Sequence, residues 1–214
     1  PRIVLIDRPH SPQSVIVAGR VLPLTGRTPD TEALQLANEV LGGGFLSRLN
    51  KDLREEKGWS YDVYSRVSQS VGPSAFTLSA PVQSDKTGAA IKAIIADMGA
   101  YPTTSAITAE EFQRVTDGAI RQLPNLFETN AQMAGAIRQN DRLGRPEDYY
   151  VSLAAKYRGI GEPAVATAAS QYLRPKGLVF VVVGDRKIVE PQLKGLGLPI
   201  EIQQAPAATG DESE

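Results

Sequence analysis

The order of periodic segments along the chain predicts an α+β domain, a two-layer sandwich with helices packed on one face of a mostly antiparallel sheet. Two β-rich runs open the chain, and a second pair stands side by side before its middle. A continuous apolar run, Leu178-Val179-Phe180-Val181-Val182-Val183, comes late, after a long helical stretch. The strands are therefore neither all consecutive nor in regular alternation with helices, which points to layers of sheet and helix.

Residues 2–6 read as the first strand, followed by a Pro- and Ser-rich turn from Asp7 to Pro12. Gln13–Leu22 is a second strand, marked by β-branched Val15, Ile16, Val17 and Val21. Thr28-Pro29 reads as a helix start, with Thr at the N-cap and Pro at the first helical position. Leu34, Ala37, Val40 and Leu41 then recur at helical spacing, and Gly42 is expected to end that helix. Leu46, Leu49 and Leu53 predict an apolar stripe on a short second helix closed by Gly58.

Segments 60–69 and 75–82 predict an antiparallel hairpin across the loop Ser70-Val71-Gly72-Pro73-Ser74. Ser84-Asp85 is expected to cap a helix whose Ala90, Ile91, Ile94, Ile95 and Met98 face the core. Thr108-Ala109-Glu110-Glu111 is a capping box opening another helix, with Phe112, Val115 and Ala119 inward and Pro124 ending or kinking it. Asn130–Leu143 and 147–157 follow as helices, split by Gly144-Arg145-Pro146. Segment 162–173 is the last helix, with Val165, Ala169 and Tyr172 on one face. The apolar run 178–183 is expected to be a central strand, ended by Gly184-Asp185. A single domain over residues 1–200 and a flexible tail over 201–214 complete the expectation.

Composition limits what such a domain can do. With 214 residues, 42% apolar and 22% charged, the chain can bury one substantial core. A net charge of −1 argues against a nucleic-acid surface, and no apolar run approaches a membrane span. Zero cysteines removes thiol nucleophiles, disulfides and Cys-type metal sites, and is neutral between cytoplasm and periplasm. The chain enters its first strand directly from Pro1, which reads as an excised or processed piece.

The chemistry-bearing stretch is Leu41-Gly42-Gly43-Gly44-Phe45-Leu46-Ser47-Arg48-Leu49, continuing through Leu53-Arg54-Glu55-Glu56-Lys57-Gly58-Trp59-Ser60-Tyr61. Three glycines free the backbone for positive φ and for close approach of another chain. Arg54 falls in the last turn of the second helix and Tyr61 three residues past its Gly58 stop, so both can project at one helix-to-strand corner. Glu55 and Glu56 read as a solvated helix face, Trp59 as a local packing anchor and His10 as an exposed turn residue.

This stretch resembles the non-catalytic half of the M16 metallopeptidases, the insulinase, pitrilysin and mitochondrial processing peptidase group. Pro12-Gln13-Ser14 and Val181-Val182-Val183-Gly184-Asp185 are also similar to that family, and the likeness runs to about Leu196. The resemblance implies the M16/LuxS-like metallohydrolase fold and a shared labour. An inverted zinc motif, His-x-x-Glu-His, lies in a catalytic domain or subunit, and the partner half closes a peptide chamber. It implies that Arg54 and Tyr61, with Gly42, Gly43 and Gly44, bind peptide substrate near the scissile bond. Zinc is then expected in the catalytic partner and not in this chain, whose only histidine is His10. The parent is expected to be a zinc metalloendopeptidase, in one polypeptide or a homo- or heterodimer, with a periplasmic address favoured over a cytoplasmic one. A silent scaffold of the same ancestry and an unrelated peptide-binding module are the competing readings.

Overall fold

In the computed structural model, which describes residues 1–204, six strands form one open sheet in the order β3-β4-β2-β5-β1-β6. The strands are β1 (Arg2–Asp7), β2 (Gln13–Leu22), β3 (Tyr64–Val67), β4 (Ser74–Gln83), β5 (Val179–Gly184) and β6 (Ile200–Gln204). The helices are α1 (Thr31–Asn38), α2 (Arg48–Asn50), α3 (Thr87–Ala100), α4 (Ala109–Gln122), α5 (Asn130–Leu143), α6 (Tyr149–Gly159), α7 (Glu162–Tyr172) and α8 (Arg186–Lys194). β2 pairs antiparallel with β4 and β5, and β3 antiparallel with β4; β1 runs parallel to both β5 and β6. The mostly antiparallel two-layer sandwich is thus the observed fold.

The period-two pattern explains the layering. β2 buries Ser14, Ile16, Ala18 and Leu22, and turns Val15, Val17 and Val21 outward. β4 buries Phe76, Leu78, Ala80 and Val82, and β5 buries Phe180 and Val182, so one face of the sheet meets α1, α3, α7 and α8 over a continuous core. β5 is central, between β2 and β1, as the apolar run implied; its Val179, Val181 and Val183 nevertheless stay half-buried, with no helix among the described residues over that face.

Several boundaries differ from expectation, each for a local reason. α1 starts at Thr31, because Thr28 Oγ1 instead accepts the Thr25 amide at 3.0 Å and closes a turn. Gly42 does not end that helix, which widens into a π-helical segment over Glu39–Gly43. Leu49 and Leu53 are fully buried, but Leu46 precedes α2 and is exposed. The strand expected over 60–69 shrinks to β3 with an isolated bridge between Ser60 and Val82. Ser84 starts a 3₁₀ turn before α3 and spends its hydroxyl on the Ser11 carbonyl, so it does not cap.

The capping box at Thr108 and Glu111 forms in both directions. Two elements had no sequence forecast. α8 carries Pro191 internally, which masks its helical pattern, and the edge strand β6 is almost wholly exposed, so it lacks apolar alternation. Residues 201–204 therefore belong to the sheet, and the rest of the expected tail lies outside the described residues.

Candidate functional site

The site grows from two consecutive helix ends. α1 runs into its π segment, the glycine triplet turns the chain, and α2 runs into a second π segment, Lys51–Glu56. π-helical turns are rare and concentrate at functional sites. The triplet works through contact and not through unusual torsions, since none of its glycines has positive φ. A Cβ on Gly42 would stand 2.5 Å from Ser65 Oγ, and one on Gly43 would stand 2.6 Å from Glu39 Oε1. Gly42 is buried, so its lack of side chain is what lets the helix end press against β3. Gly43 and Gly44 are half-buried against Glu39.

Gly58, at φ +63°, terminates the second π segment, and the Trp59 amide returns to Leu53 O at 2.9 Å. The reversal delivers Tyr61 beside Arg54. Arg54 Cζ lies 4.3 Å from the Phe45 ring centroid and 5.5 Å from the Tyr61 ring centroid, so the guanidinium is held by two aromatic rings. Asp52, on the same segment, pairs with Lys57, and Arg54 has no hydrogen bond or ion pair among the described residues. Its N–H edges are therefore free to donate. Tyr61 is 85% exposed and Phe45 62%, which puts both rings at the surface.

Sequence reasoning missed Phe45 and the residue that fixes it. Asn50, 1% exposed, donates to Phe45 O at 2.7 Å and accepts the Val63 amide at 3.2 Å. One buried amide thereby ties the loop bearing Phe45 to the segment bearing Tyr61. Nothing in the sequence marks Asn50; Phe45 had a signal, an aromatic set between a glycine triplet and a helix start.

Asp97 on α3 lies behind the same helix end. Burial first, then the charge of Asp52 and to a lesser degree Glu56, push its carboxyl up to about 6, with Lys57 and Arg48 opposing. Oδ2 of Asp97 and Oδ2 of Asp52 are both buried without a partner. The native chain thus binds a proton more tightly at Asp97 than the unfolded chain does, whose ordinary value is 3.8. Its stability falls as pH rises through about 6 and recovers on acidification toward 4. Asp97→Asn is expected to raise the melting temperature at pH 8 and to leave it nearly unchanged at pH 4, read by calorimetry at both pH values.

The residues do not fit a zinc site. His10 is the only histidine in the sequence, stands at φ +62° in the exposed turn after β1, and gives its amide to Asp185 Oδ2 at 2.9 Å. Among the described residues no group of three His, Asp or Glu side chains is arranged to hold a metal ion. No helix among them is long and apolar enough to cross a membrane.

Residues 1–118 match the family model described as the peptidase M16 inactive domain. Over 130 residues, 60% of the chain, the sequence is 32% identical to an uncharacterized zinc protease of Mycobacterium leprae, of which it spans only 26%. The fold is similar to a peptidase M16 inactive domain from Pseudomonas fluorescens, with TM-score 0.76 and 21% identity over 86% of this chain and 44% of that one. It is also similar to the inactive peptidase domain of a Bordetella parapertussis protein, with TM-score 0.68 and 18% identity over 83% of this chain and 94% of that one.

Proposed function

The chain belongs to the peptidase M16 inactive-domain family, and from that premise we propose that it grips the main chain of a peptide that a zinc-bearing M16 domain cuts. A relative 32% identical over 130 residues is described as a zinc protease, and the family resemblance implies a catalytic M16 domain as the partner. The observation that carries the reading is the Arg54 guanidinium, stacked between Phe45 and Tyr61 with no ionic partner among the described residues. An arginine meant for a surface ion pair would find Glu55, Glu56 or Asp52 close by in sequence; this one keeps its donors for something outside the chain. Peptide carbonyls suit it, because a guanidinium presents its N–H groups in a fixed fork.

The Tyr61 hydroxyl beside it can donate to a carbonyl oxygen as negative charge develops there. The uncovered sheet face, with Val15, Val17 and Val21 exposed, supports a role in walling a chamber with a second domain. Gly43 and Gly44 then keep the turn beside the peptide free of side chains, while Gly42 serves packing. A periplasmic address and pairing within one polypeptide or between subunits belong to the same proposal.

Tyr61→Phe removes one oxygen and keeps the ring over Arg54. In the zinc-bearing parent it is expected to lower kcat for a short unstructured peptide by about 10²-fold, the usual cost of one lost donor to a developing oxyanion. Unchanged kcat rejects the donor role and leaves Tyr61 as a stacking partner only.

A further inference from the structure

Beyond Phe45 the surface opens into a cavity of about 890 Å³ between the end of α1 and helices α4, α5 and α6. That volume lies in the range of sites that enclose small ligands or short stretches of chain. Resting on the grip proposed for Arg54 and Tyr61, we infer that this cavity is a second subsite of the same peptide, one that seats its large apolar side chains.

Three observations carry the inference. The first is continuity: Phe45 lines the cavity and its ring also stacks on Arg54, so the opening adjoins the residue against which the arginine lies. The second is a pair of helix-interior glycines, Gly118 in α4 and Gly135 in α5. Glycine weakens a helix interior, and close packing is its usual excuse. Here a Cβ at either position would meet nothing within 4 Å, yet both residues line the cavity. Packing within the domain does not demand them; an occupant would.

The third observation is the mixed character of the wall. Val115, Ala136 and Leu153 give it an apolar floor. Glu39 and Arg114 line it without a hydrogen bond or ion pair of their own among the described residues. An unpaired acceptor and an unpaired donor fork above apolar walls complement a peptide, whose amides need both and whose side chains need the floor. Burial pushes the Glu39 carboxyl up, and the charge of Arg114 only partly offsets this.

The test uses the chain alone, since the similar Bordetella parapertussis domain has a solved structure of about this extent. Two fluorescein-labelled peptides of Ser and Ala are compared by anisotropy, one with a central Phe-Leu pair and one with Ser-Ser. The wild-type chain is expected to prefer the Phe-Leu peptide by about tenfold or more, the usual scale for apolar side chains in a fitted pocket. Gly118→Leu and Gly135→Leu fill the space from opposite walls and improve helix propensity, so both are expected to raise the melting temperature and abolish the preference. Arg54→Ala is expected to weaken both peptides while leaving the preference intact.

Equal affinity of the two peptides for the wild-type chain overturns the inference. So does a preference that survives in folded Gly118→Leu and Gly135→Leu. Loss of the preference in the glycine variants, with Arg54→Ala binding as wild type, upholds the cavity and rejects the grip at Arg54 instead.

Discussion

Replacing Arg54 by alanine is expected to lower kcat/KM of the zinc-bearing parent toward an extended peptide by about 10²–10³-fold, while the melting temperature of the domain barely moves. The two halves of that result have separate causes. Stability is nearly indifferent because Arg54 is half-buried at the surface and has no ion pair or hydrogen bond among the described residues to lose. Only its stacking on Phe45 and Tyr61 disappears, worth about 1 kcal/mol or less at an exposed site. Activity is sensitive because the same stacking fixes the plane of the guanidinium before substrate arrives, so its donors are aimed without further ordering.

Arg54→Lys is expected to recover little of that loss. An ammonium is a point charge on a flexible stem; it neither spans two rings nor offers two parallel donors to a peptide. Steady-state kinetics on the three forms, with calorimetry on the same preparations, reads both halves. Wild-type turnover in Arg54→Ala removes the grip and leaves a domain that only encloses.

Where the signal is local, the sequence sufficed. Gln13–Leu22 was legible from its β-branched Val15, Ile16, Val17 and Val21, and its residues alternate between solvent and core from Gln13 to Ala18. Asn130–Leu143 was legible because Gly144-Arg145-Pro146 breaks the chain after it, and Gly144, at φ +58°, does stop the helix. What stayed hidden depends on contacts made across the fold. The first π segment ends where Gly42 is pressed against Ser65, and no propensity scale carries that contact. β6 runs parallel to β1 from the far end of the chain, and only the assembled sheet edge defines it.

The candidate site divides in the same way. Arg54 and Tyr61 could be picked out because their segment resembles a known family's, and the six residues between them, with a glycine stop at Gly58, let both project at one corner. Phe45 and Asn50 could not, because their roles exist only once the glycine turn is folded back on the segment at Val63.

Arg48 is the residue whose weight the sequence least betrayed, and its loss is expected to be the most damaging to the fold. Its guanidinium donates through Nε to Glu111 Oε1 at 2.7 Å and through Nη2 to Glu111 Oε2 at 2.6 Å. It also reaches Ala106 O at 2.8 Å and Ser105 Oγ at 3.0 Å, and lies 4.7 Å over the Tyr101 ring. Glu111 is meanwhile the return half of the capping box, accepting the Thr108 amide at 2.9 Å. One side chain at the start of α2 therefore fastens the end of α3, the connection after it and the cap of α4, across 63 residues of sequence.

Both partners are about four-fifths buried, at 19% and 20% side-chain exposure, so truncating one strands the other. Arg48→Ala is expected to cost about 3 kcal/mol, the lower end for breaking a buried pair. For a chain of this size that is a fall of roughly 6–12 °C in melting temperature. The pH dependence has a definite sign. Burial raises the Glu111 carboxyl, but the hydrogen bonds from Arg48 and Thr108 outweigh it and leave the group below its ordinary value. Its contribution is therefore complete above the ordinary carboxylate range and is lost as pH falls through the lower native value. The gap between wild type and Arg48→Ala should be widest near neutrality and should close in acid; a gap independent of pH would assign the loss to the Tyr101 stack and the backbone carbonyls, not to the ion pair.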